Sequence, residues 1–258
     1  LIRGNMHRCV PSCPPLTRML IVIPDTLTIA RRYCGPPTTG NGGYSAGLLG
    51  RYIDGPAQVT LRSPPPLERP LRLARENDKL LLRDGEQLVA EAVPTDFELD
   101  VPAAPSFEQA EAAVQRYVGF TERTFPTCFV CGPDREAGDG LRIFPGETGA
   151  GVVAAPWVPD ASLAAADGVV QPEYVWAALD CPGAFAGERR PPGKAVLLGR
   201  FEVELTAPVR FGERCVVIGW PLGKDGRKIY SGTAVFGADG RLCGKARAIW
   251  IEVDFPQG

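Results

Sequence analysis

One carboxylate stands out in this sequence because its neighbours are almost all apolar. Asp180 lies in the stretch QPEYVWAALDCPGAFAG (171–187), within a run of alanine, leucine and cysteine. A buried carboxylate is costly unless it is paired or used. In apolar surroundings its pKa should rise toward the working range, which suits a general base or a nucleophile. The alternative is structural: a helix-end carboxylate that accepts a hydrogen bond from a neighbouring N–H or from an arginine such as Arg189.

The segment that carries Asp180 is predicted to form a buried central helix over residues 171–187. The residues that give it an apolar face at helical spacing are Val175, Trp176, Ala178 and Leu179. Pro172 suits the first turn, where no backbone N–H is needed. Pro182 and Gly183 should stop the helix or distort its last turn.

A second stretch, GNGGYSAGLLG (40–50), combines a glycine loop with a short helix predicted from about Tyr44 to Ile53. Gly47 and Gly50 should each weaken that helix by about 1 kcal/mol relative to alanine. They are easier to understand if another element packs closely against them. The stretch has neither the lysine and spacing of a P-loop nor the pattern GxGxxG, so a nucleotide-binding loop is not predicted.

Histidine and cysteine limit the kinds of site that the chain can build. The only histidine, His7, lies in the first 18 residues, which argues against histidine-based triads, His–Asp dyads and His-ligated metals. Cys128 and Cys131 form a CxxC motif, which is half of a zinc site, but no second pair stands at ligand spacing. We expect Cys181 to be isolated and buried, as also Cys215 and Cys243. The motif is interpreted as a turn before a strand, and neither a metal nor a cofactor is expected.

Composition points to an ordinary globular chain of 258 residues with a net charge of −2. No basic stripe is available for nucleic acid, and the apolar runs are too short to span a membrane. We expect a cytoplasmic protein with reduced thiols, since no convincing signal peptide is present. The 30 glycines and 26 prolines predict many turns and short strands, with Asp-Gly hairpin turns at residues 84–85, 225–226 and 239–240.

Weak similarity between the two halves suggests a tandem duplication. NGGYSAGLLG (41–50) aligns with QPEYVWAALD (171–180), and VTLRSP (59–64) aligns with VELTAP (203–208). Chance similarity in a Gly/Pro-rich chain is the alternative. We predict a disordered tail over residues 1–18, a first module over 19–100, a connecting helix over 101–124 with Ser106 as its N-cap, and a second module over 125–258.

Several of these segments resemble a known superfamily. CFVCGP (128–133) and GLRI (140–143), followed by a helix ending in ALD and by long antiparallel strands, are similar to the PaaI-like branch of the hot-dog thioesterases. GNGGYSAGLLGR (40–51) resembles the first module of two-hot-dog acyl-CoA thioesterases. The resemblance implies an α+β fold, a tandem double hot-dog in which each antiparallel sheet wraps around a central helix. It also implies hydrolysis of acyl-CoA or of another acyl thioester.

The resemblance assigns roles to individual residues. In PaaI-like enzymes a His-Gly-Gly opens the helix, a glycine N–H polarises the thioester carbonyl, and an acidic residue on the facing helix activates water. Asp180 matches the acidic residue and Gly43 the glycine donor, so both are predicted to be catalytic, with Gly43 forming an oxyanion site at the helix N-terminus. The predicted substrate-binding residues are Asn41, which replaces the histidine, and Gly42, Tyr44, Gln171, Glu173 and Trp176.

The two halves are complementary in this alignment. Gly43 aligns with Glu173 and Gly50 aligns with Asp180, so each half keeps one component. This predicts one complete composite site and one inactive site. Gln171-Pro172-Glu173 departs from His-Gly-Gly, and the Asp/Thr/Gln set of two-hot-dog thioesterases has no clear match. The alternative function is an acyl-CoA-binding or apolar-ligand-binding protein without turnover, and a homodimer is also considered. A side chain of Asp180 that faces a cleft near Gly43 would favour the enzyme.

Overall fold

The structure is a computed structural model that describes residues 22–255. The predicted tail of residues 1–18 lies outside the described residues. The strands are β1 (Thr26–Thr28), β2 (Ala57–Leu61), β3 (Pro70–Glu76), β4 (Lys79–Asp84), β5 (Gln87–Pro94), β6 (Gly146–Gly149), β7 (Val152–Trp157), β8 (Lys194–Leu205), β9 (Cys215–Asp225), β10 (Lys228–Phe236) and β11 (Leu242–Asp254). The helices are α1 (Gly42–Gly50), α2 (Phe107–Ala113), α3 (Gly119–Glu122), α4 (Pro172–Ala178) and α5 (Cys181–Phe185).

The described strands form a single antiparallel sheet in the order β1-β3-β4-β5-β2-β8-β11-β10-β9-β7-β6. Strand β2 pairs with β8, where Val59 lies opposite Phe201, and this pairing joins the strands of the first half to those of the second. The antiparallel α+β architecture predicted from the sequence is confirmed.

The predicted Asp-Gly turns connect neighbouring strands as expected. Gly85 lies between β4 and β5, Gly226 between β9 and β10, and Gly240 between β10 and β11. Their φ angles are 56°, 54° and 79°, in the left-handed region that glycine adopts without steric cost. Each of these turns therefore joins two consecutive strands into an antiparallel hairpin, as the local sequence predicts.

Helices α1 and α4 pack against each other in the hydrophobic core. A Cβ at Gly47 would lie 2.7 Å from the Cα of Glu173, and a Cβ at Gly50 would overlap the ring of Trp176. These contacts explain why α1 contains glycines that weaken an isolated helix, because only glycine permits this approach. Both helices are buried on almost every side, and the main hydrophobic core extends through both halves of the chain.

The helix predicted over residues 171–187 is divided into α4 and α5. Pro172 occupies the first turn of α4, as predicted. The ring of Pro182 would clash with the carbonyl four residues earlier, at Ala178, and that residue is the last of α4. Leu179 and Asp180 lie between the two helices, so Asp180 stands at a bend and not within a continuous helix.

The predicted connecting helix begins as expected and ends early. Ser106 caps α2 through a capping box with Gln109. The helix ends at Ala113 and is followed by a 3-10 turn, Val114–Arg116. Ala110 is buried in a second, smaller cluster against β7, β9 and β10, so this segment covers part of the sheet. No helix in the described part of the chain is long and apolar enough to cross a membrane.

Candidate active site

Asp180 is buried at the bend between α4 and α5 and faces the start of α1. Only 2% of the residue is exposed. Its Oδ2 accepts a hydrogen bond of 2.7 Å from Nδ2 of Asn41, and the backbone N–H of Gly43 also interacts with the carboxylate. The Oδ1 atom has no hydrogen-bond partner among the described residues. The alternative pairing with Arg189 is wrong, because Arg189 binds Glu122 instead.

Burial raises the pKa of Asp180 to about 7, and the nearby Cys128 acts in the same direction. The Gly43 N–H and the Asn41 amide oppose this rise because they stabilise the ionised form. The expectation of a raised pKa is therefore confirmed. Near neutral pH this carboxyl group is close to balance between its protonated and ionised forms.

Asn41 connects the N-terminus of α1 to Asp180. Its Oδ1 accepts the N–H of Tyr44 at 2.8 Å and so caps the helix, while its Nδ2 donates to Asp180. Both ends of the amide are therefore fixed. Gly42 is the first residue of α1, where a backbone N–H has no intrahelical partner. At the next position a Cβ on Gly43 would overlap the Cβ of Asp180, so glycine is required for the two elements to meet.

A small cavity of about 80 Å³ lies beside this carboxylate. It is lined by Asn41, Gly42 and Asp180, and also by Cys128, Cys131, Cys181, Tyr117, Phe185, Arg190, Leu198 and Trp250. A larger groove of about 680 Å³ adjoins it and shares Ala184, Arg190, Val196 and Trp250. The carboxylate thus lines a small cavity that adjoins the larger groove.

Three cysteines form part of the cavity wall. The Sγ atoms of Cys128 and Cys181 are 3.8 Å apart, and those of Cys128, Cys131 and Cys181 all lie within 4.8 Å of one another. The prediction that Cys181 is isolated is wrong, because α5 begins next to the turn that carries Cys128 and Cys131. Hydrogen bonds with Cys131 and Cys181 lower the pKa of the Cys128 thiol, while hydrogen bonds with Cys128 and Cys131 raise the pKa of the Cys181 thiol.

The predicted site residues fall into two groups. The structure brings Asn41, Gly42, Gly43 and Asp180 together. Asn41, Gly42 and Asp180 line the cavity and Gly43 contacts Asp180, whereas none of the remaining four lines the cavity. Tyr44 stacks on Tyr33 with 4.0 Å between ring centroids, and Trp176 packs against α1. Glu173 and Gln171 lie at the opposite end of the helix pair, at the start of α4.

Sequence reasoning missed several residues of the cavity wall. The CxxC motif was visible, but its proximity to Cys181 depends on the path of the chain between them. Trp250 also lines the cavity, with its indole N–H donating to Ser231 at 2.9 Å. Nothing in the alternation of β11 distinguishes this tryptophan from one in the core.

No protein-family model matches the chain, and the search of curated proteins found no match. Solved structures do match. The tesB protein of Mycobacterium avium subspecies paratuberculosis is 15% identical, with a TM-score of 0.56 over 84% of this chain and 89% of that one. A hot-dog protein of unknown function from Alicyclobacillus acidocaldarius is 13% identical, with a TM-score of 0.56 over 90% and 93%. A proposed thioesterase II from Thermobifida fusca is 13% identical, with a TM-score of 0.55 over 93% and 98%. The chain therefore has the hot-dog fold.

Proposed function

We propose that the protein hydrolyses an acyl thioester and that Asp180 is its catalytic carboxylate. The observation that carries this proposal is the position of Asp180, buried at the wall of a cavity beside the N-terminus of α1. Its free Oδ1 can accept a proton from water, or can itself attack the thioester carbonyl. Either route releases the acyl group as a carboxylic acid and the carrier as a thiol.

The start of α1 supplies the complementary electrostatic element. A carbonyl oxygen that accepts the free N–H of Gly42 would lie at the positive end of the helix dipole, where negative charge develops during attack. Gly43 was predicted to be this donor, but its N–H interacts with Asp180. We therefore assign the carbonyl contact to Gly42 and the positioning of Asp180 to Gly43 and Asn41.

The shape of the depression suggests how a thioester is held. The cavity of about 80 Å³ has room for a carbonyl group and about one water, since each water occupies about 30 Å³ in the liquid. The adjoining groove of about 680 Å³ can take a longer segment of the acyl group or its carrier. Arg190 lines that groove, and its positive charge suits a phosphate-bearing carrier such as CoA, whereas Lys224 is paired with Glu252.

We also propose that the chain is a tandem of two hot-dog modules, over residues 19–100 and 125–258, joined by residues 101–124. The strand order supports this arrangement because its two sides mirror each other. Reading outward from the β2–β8 pair, β2, β5, β4, β3 and β1 correspond to β8, β11, β10, β9 and β7. Helices α1 and α4 occupy equivalent places before β2 and β8.

The proposed activity is tested by incubating the protein with a panel of short, long and aromatic acyl-CoAs and measuring the free thiol that is released. The Asp180→Asn variant should lose turnover by roughly 10²-fold or more while keeping a side chain of the same size. Asp78→Asn is the matched control, because that residue lies exposed in the turn between β3 and β4. Wild-type protein without turnover on any member of the panel would refute hydrolysis of acyl-CoA, and thermal shifts with the same panel would then favour ligand binding.

A further inference from the structure

The fold brings three cysteine sulfurs together where the sequence shows only a CxxC motif. Cys128 and Cys131 lie in the segment before β6, and Cys181 is the first residue of α5. Their exposed fractions are 3%, 6% and 6%. The sulfurs are within 4.8 Å of one another, and the distance from Cys128 to Cys181 is 3.8 Å. These separations decide whether the three sulfurs can share one metal ion.

Tetrahedral zinc sites have metal–sulfur bonds of about 2.3 Å, which place two thiolate sulfurs about 3.8 Å apart. The Cys128–Cys181 separation equals that edge. The third sulfur is close enough to complete a face of the tetrahedron with a small rotation of its side chain. A disulfide would instead require the two sulfurs to approach to about 2 Å. The triangle of sulfurs therefore fits a metal ion at its present spacing.

We propose that Cys128, Cys131 and Cys181 bind one zinc ion, with the fourth coordination position open to the cavity. Thiolate ligands favour soft or borderline metals, and zinc accepts a three-thiolate tetrahedral environment. Among the described residues, no histidine, aspartate, glutamate or further cysteine belongs to the same group. All three cysteines line the cavity, so a water or another donor molecule can occupy the remaining position.

The local backbone supports convergence of the first two sulfurs. The N–H of Gly132 donates to the carbonyl of Cys128 at 2.9 Å and closes a tight turn. A Cβ at Gly132 would lie 2.5 Å from both the N and the O atom of Cys128, so the turn requires glycine. The N–H groups of Val130 and Cys131 interact with the Cys128 sulfur. Such donors stabilise a metal-bound thiolate and orient it.

Neighbouring side chains also suit a charged centre. The phenol of Tyr117 donates to the carbonyl of Cys131 at 2.9 Å and fixes that end of the turn. Three thiolates and one divalent zinc leave one negative charge, and the guanidinium of Arg190 lines the same cavity. None of these observations involves hydrolysis, so the zinc site stands whether or not the protein hydrolyses thioesters.

The metal content of the purified full-length chain, kept reduced and free of chelators, tests the site directly. We expect about one equivalent of zinc per chain in the wild type. The Cys215→Ser variant should keep it, because Cys215 is equally buried but lies outside the group. Cys128→Ser and Cys181→Ser should each lose the zinc. Circular dichroism and thermal melting establish whether each variant is folded.

Cobalt(II) gives a second test that needs no variant. Wild-type protein loaded with Co²⁺ should show sulfur-to-cobalt charge transfer and the visible bands of a tetrahedral ion. Reduced wild type that retains neither zinc nor cobalt would overturn the proposal. Equal zinc in the wild type and in Cys181→Ser would also overturn it, by showing adventitious binding elsewhere. A metal-free chain with a Cys128–Cys181 disulfide in its peptide map would assign the pair to redox chemistry instead.

Discussion

The two ends of the α1–α4 pair each hold a buried carboxylate, and the surroundings of these carboxylates differ. At one end Glu173 is 4% exposed and forms an ion pair of 2.6 Å with Arg51. At the other end Asp180 is held by the neutral amide of Asn41 and by the Gly43 N–H. Each carboxylate has one oxygen without a hydrogen-bond partner among the described residues. Asp180 lines the small cavity, whereas Glu173 does not.

This difference shows how one scaffold can use a carboxylate in two ways. An arginine partner offsets part of the desolvation of Glu173 and ties it to the C-terminal end of α1, so its contribution is structural. Asp180 has only neutral donors, so its charge remains available to a molecule in the cavity. In the alignment Gly43 corresponds to Glu173, and Gly50 corresponds to Asp180. Each helix therefore has a glycine at the position where the other has its carboxylate. Substitutions at each end test whether the two ends are as different as their contacts indicate.

The largest effect is expected from Gly43→Ala, since the new methyl group would overlap Asp180 and approach the Trp176 carbonyl at 2.9 Å. Neither neighbour is the flexible end of a long side chain. We expect a loss of about 2–3 kcal/mol in the free energy of unfolding, together with a large loss of turnover. Urea denaturation and thioesterase assays measure the two effects. Gly47→Ala is the matched control, because it crowds the same helix pair without contacting Asp180.

If Gly43→Ala and Gly47→Ala lose turnover equally after correction for the folded fraction, the special role of the Asp180 end would be refuted. A stable Gly43→Ala protein would mean that the helices separate at little cost. We expect neither outcome, since backbone atoms of α4 face both positions.

Arg51→Met should lower stability by about 2 kcal/mol, because it leaves Glu173 buried without its cation. The loss is smaller than for a fully buried pair, since the Arg51 side chain is 32% exposed and Glu173 can take up a proton. Urea denaturation at neutral pH measures it. Adding Glu173→Gln to Arg51→Met should restore part of the stability. An Arg51→Met protein as stable as the wild type would show that the ion pair does not support the fold.

Variants of Asn41 can separate its two roles, which are capping α1 and donating a hydrogen bond to Asp180. Asn41→Ala removes both and should cost about 1 kcal/mol of stability. Asn41→Ser keeps a capping oxygen and should recover most of that loss, but it cannot reach Asp180 with an amide. Turnover should fall about tenfold in both variants. Full activity in Asn41→Ser would show that the amide has no part in positioning Asp180.

Local patterns predicted much of the fold. The Asp-Gly turns, the Ser106 cap and the break caused by Pro182 each depend on a few neighbouring residues. The glycines of α1 and the carboxylate of Asp180 also indicated that each has a compensating partner, and the packing of α1 against α4 supplies it. That inference was possible because burying an unpaired charge, or placing glycine within a helix, requires a compensating contact.

The remaining features depend on contacts between distant segments. Arg51 and Glu173 pair across 122 positions of sequence, and Cys128 meets Cys181 across 53. Neither contact follows from periodicity, because both are set by how α1 crosses α4 and by where α5 starts. For the same reason, the sequence could not show whether Tyr44 and Trp176 pack in the core or line a cavity.

The smallest predicted effect is the part of the pH dependence of stability that Glu173 contributes, beside that of Asp180. Burial raises the pKa of Glu173, with its own backbone N–H and the Arg51 guanidinium opposing the rise. A raised pKa means that the folded state binds this proton more tightly than the unfolded chain does. Stability from this group is therefore fully present below the ordinary glutamate range, near pH 4, and declines as pH rises through the raised value. Glu173→Gln should remove this contribution and leave that of Asp180 in place. Urea denaturation of the wild type and of Glu173→Gln across this pH range gives the difference in their free energies of unfolding. If the wild type became more stable than Glu173→Gln as pH rises, Arg51 would control the Glu173 carboxyl group more strongly than burial does.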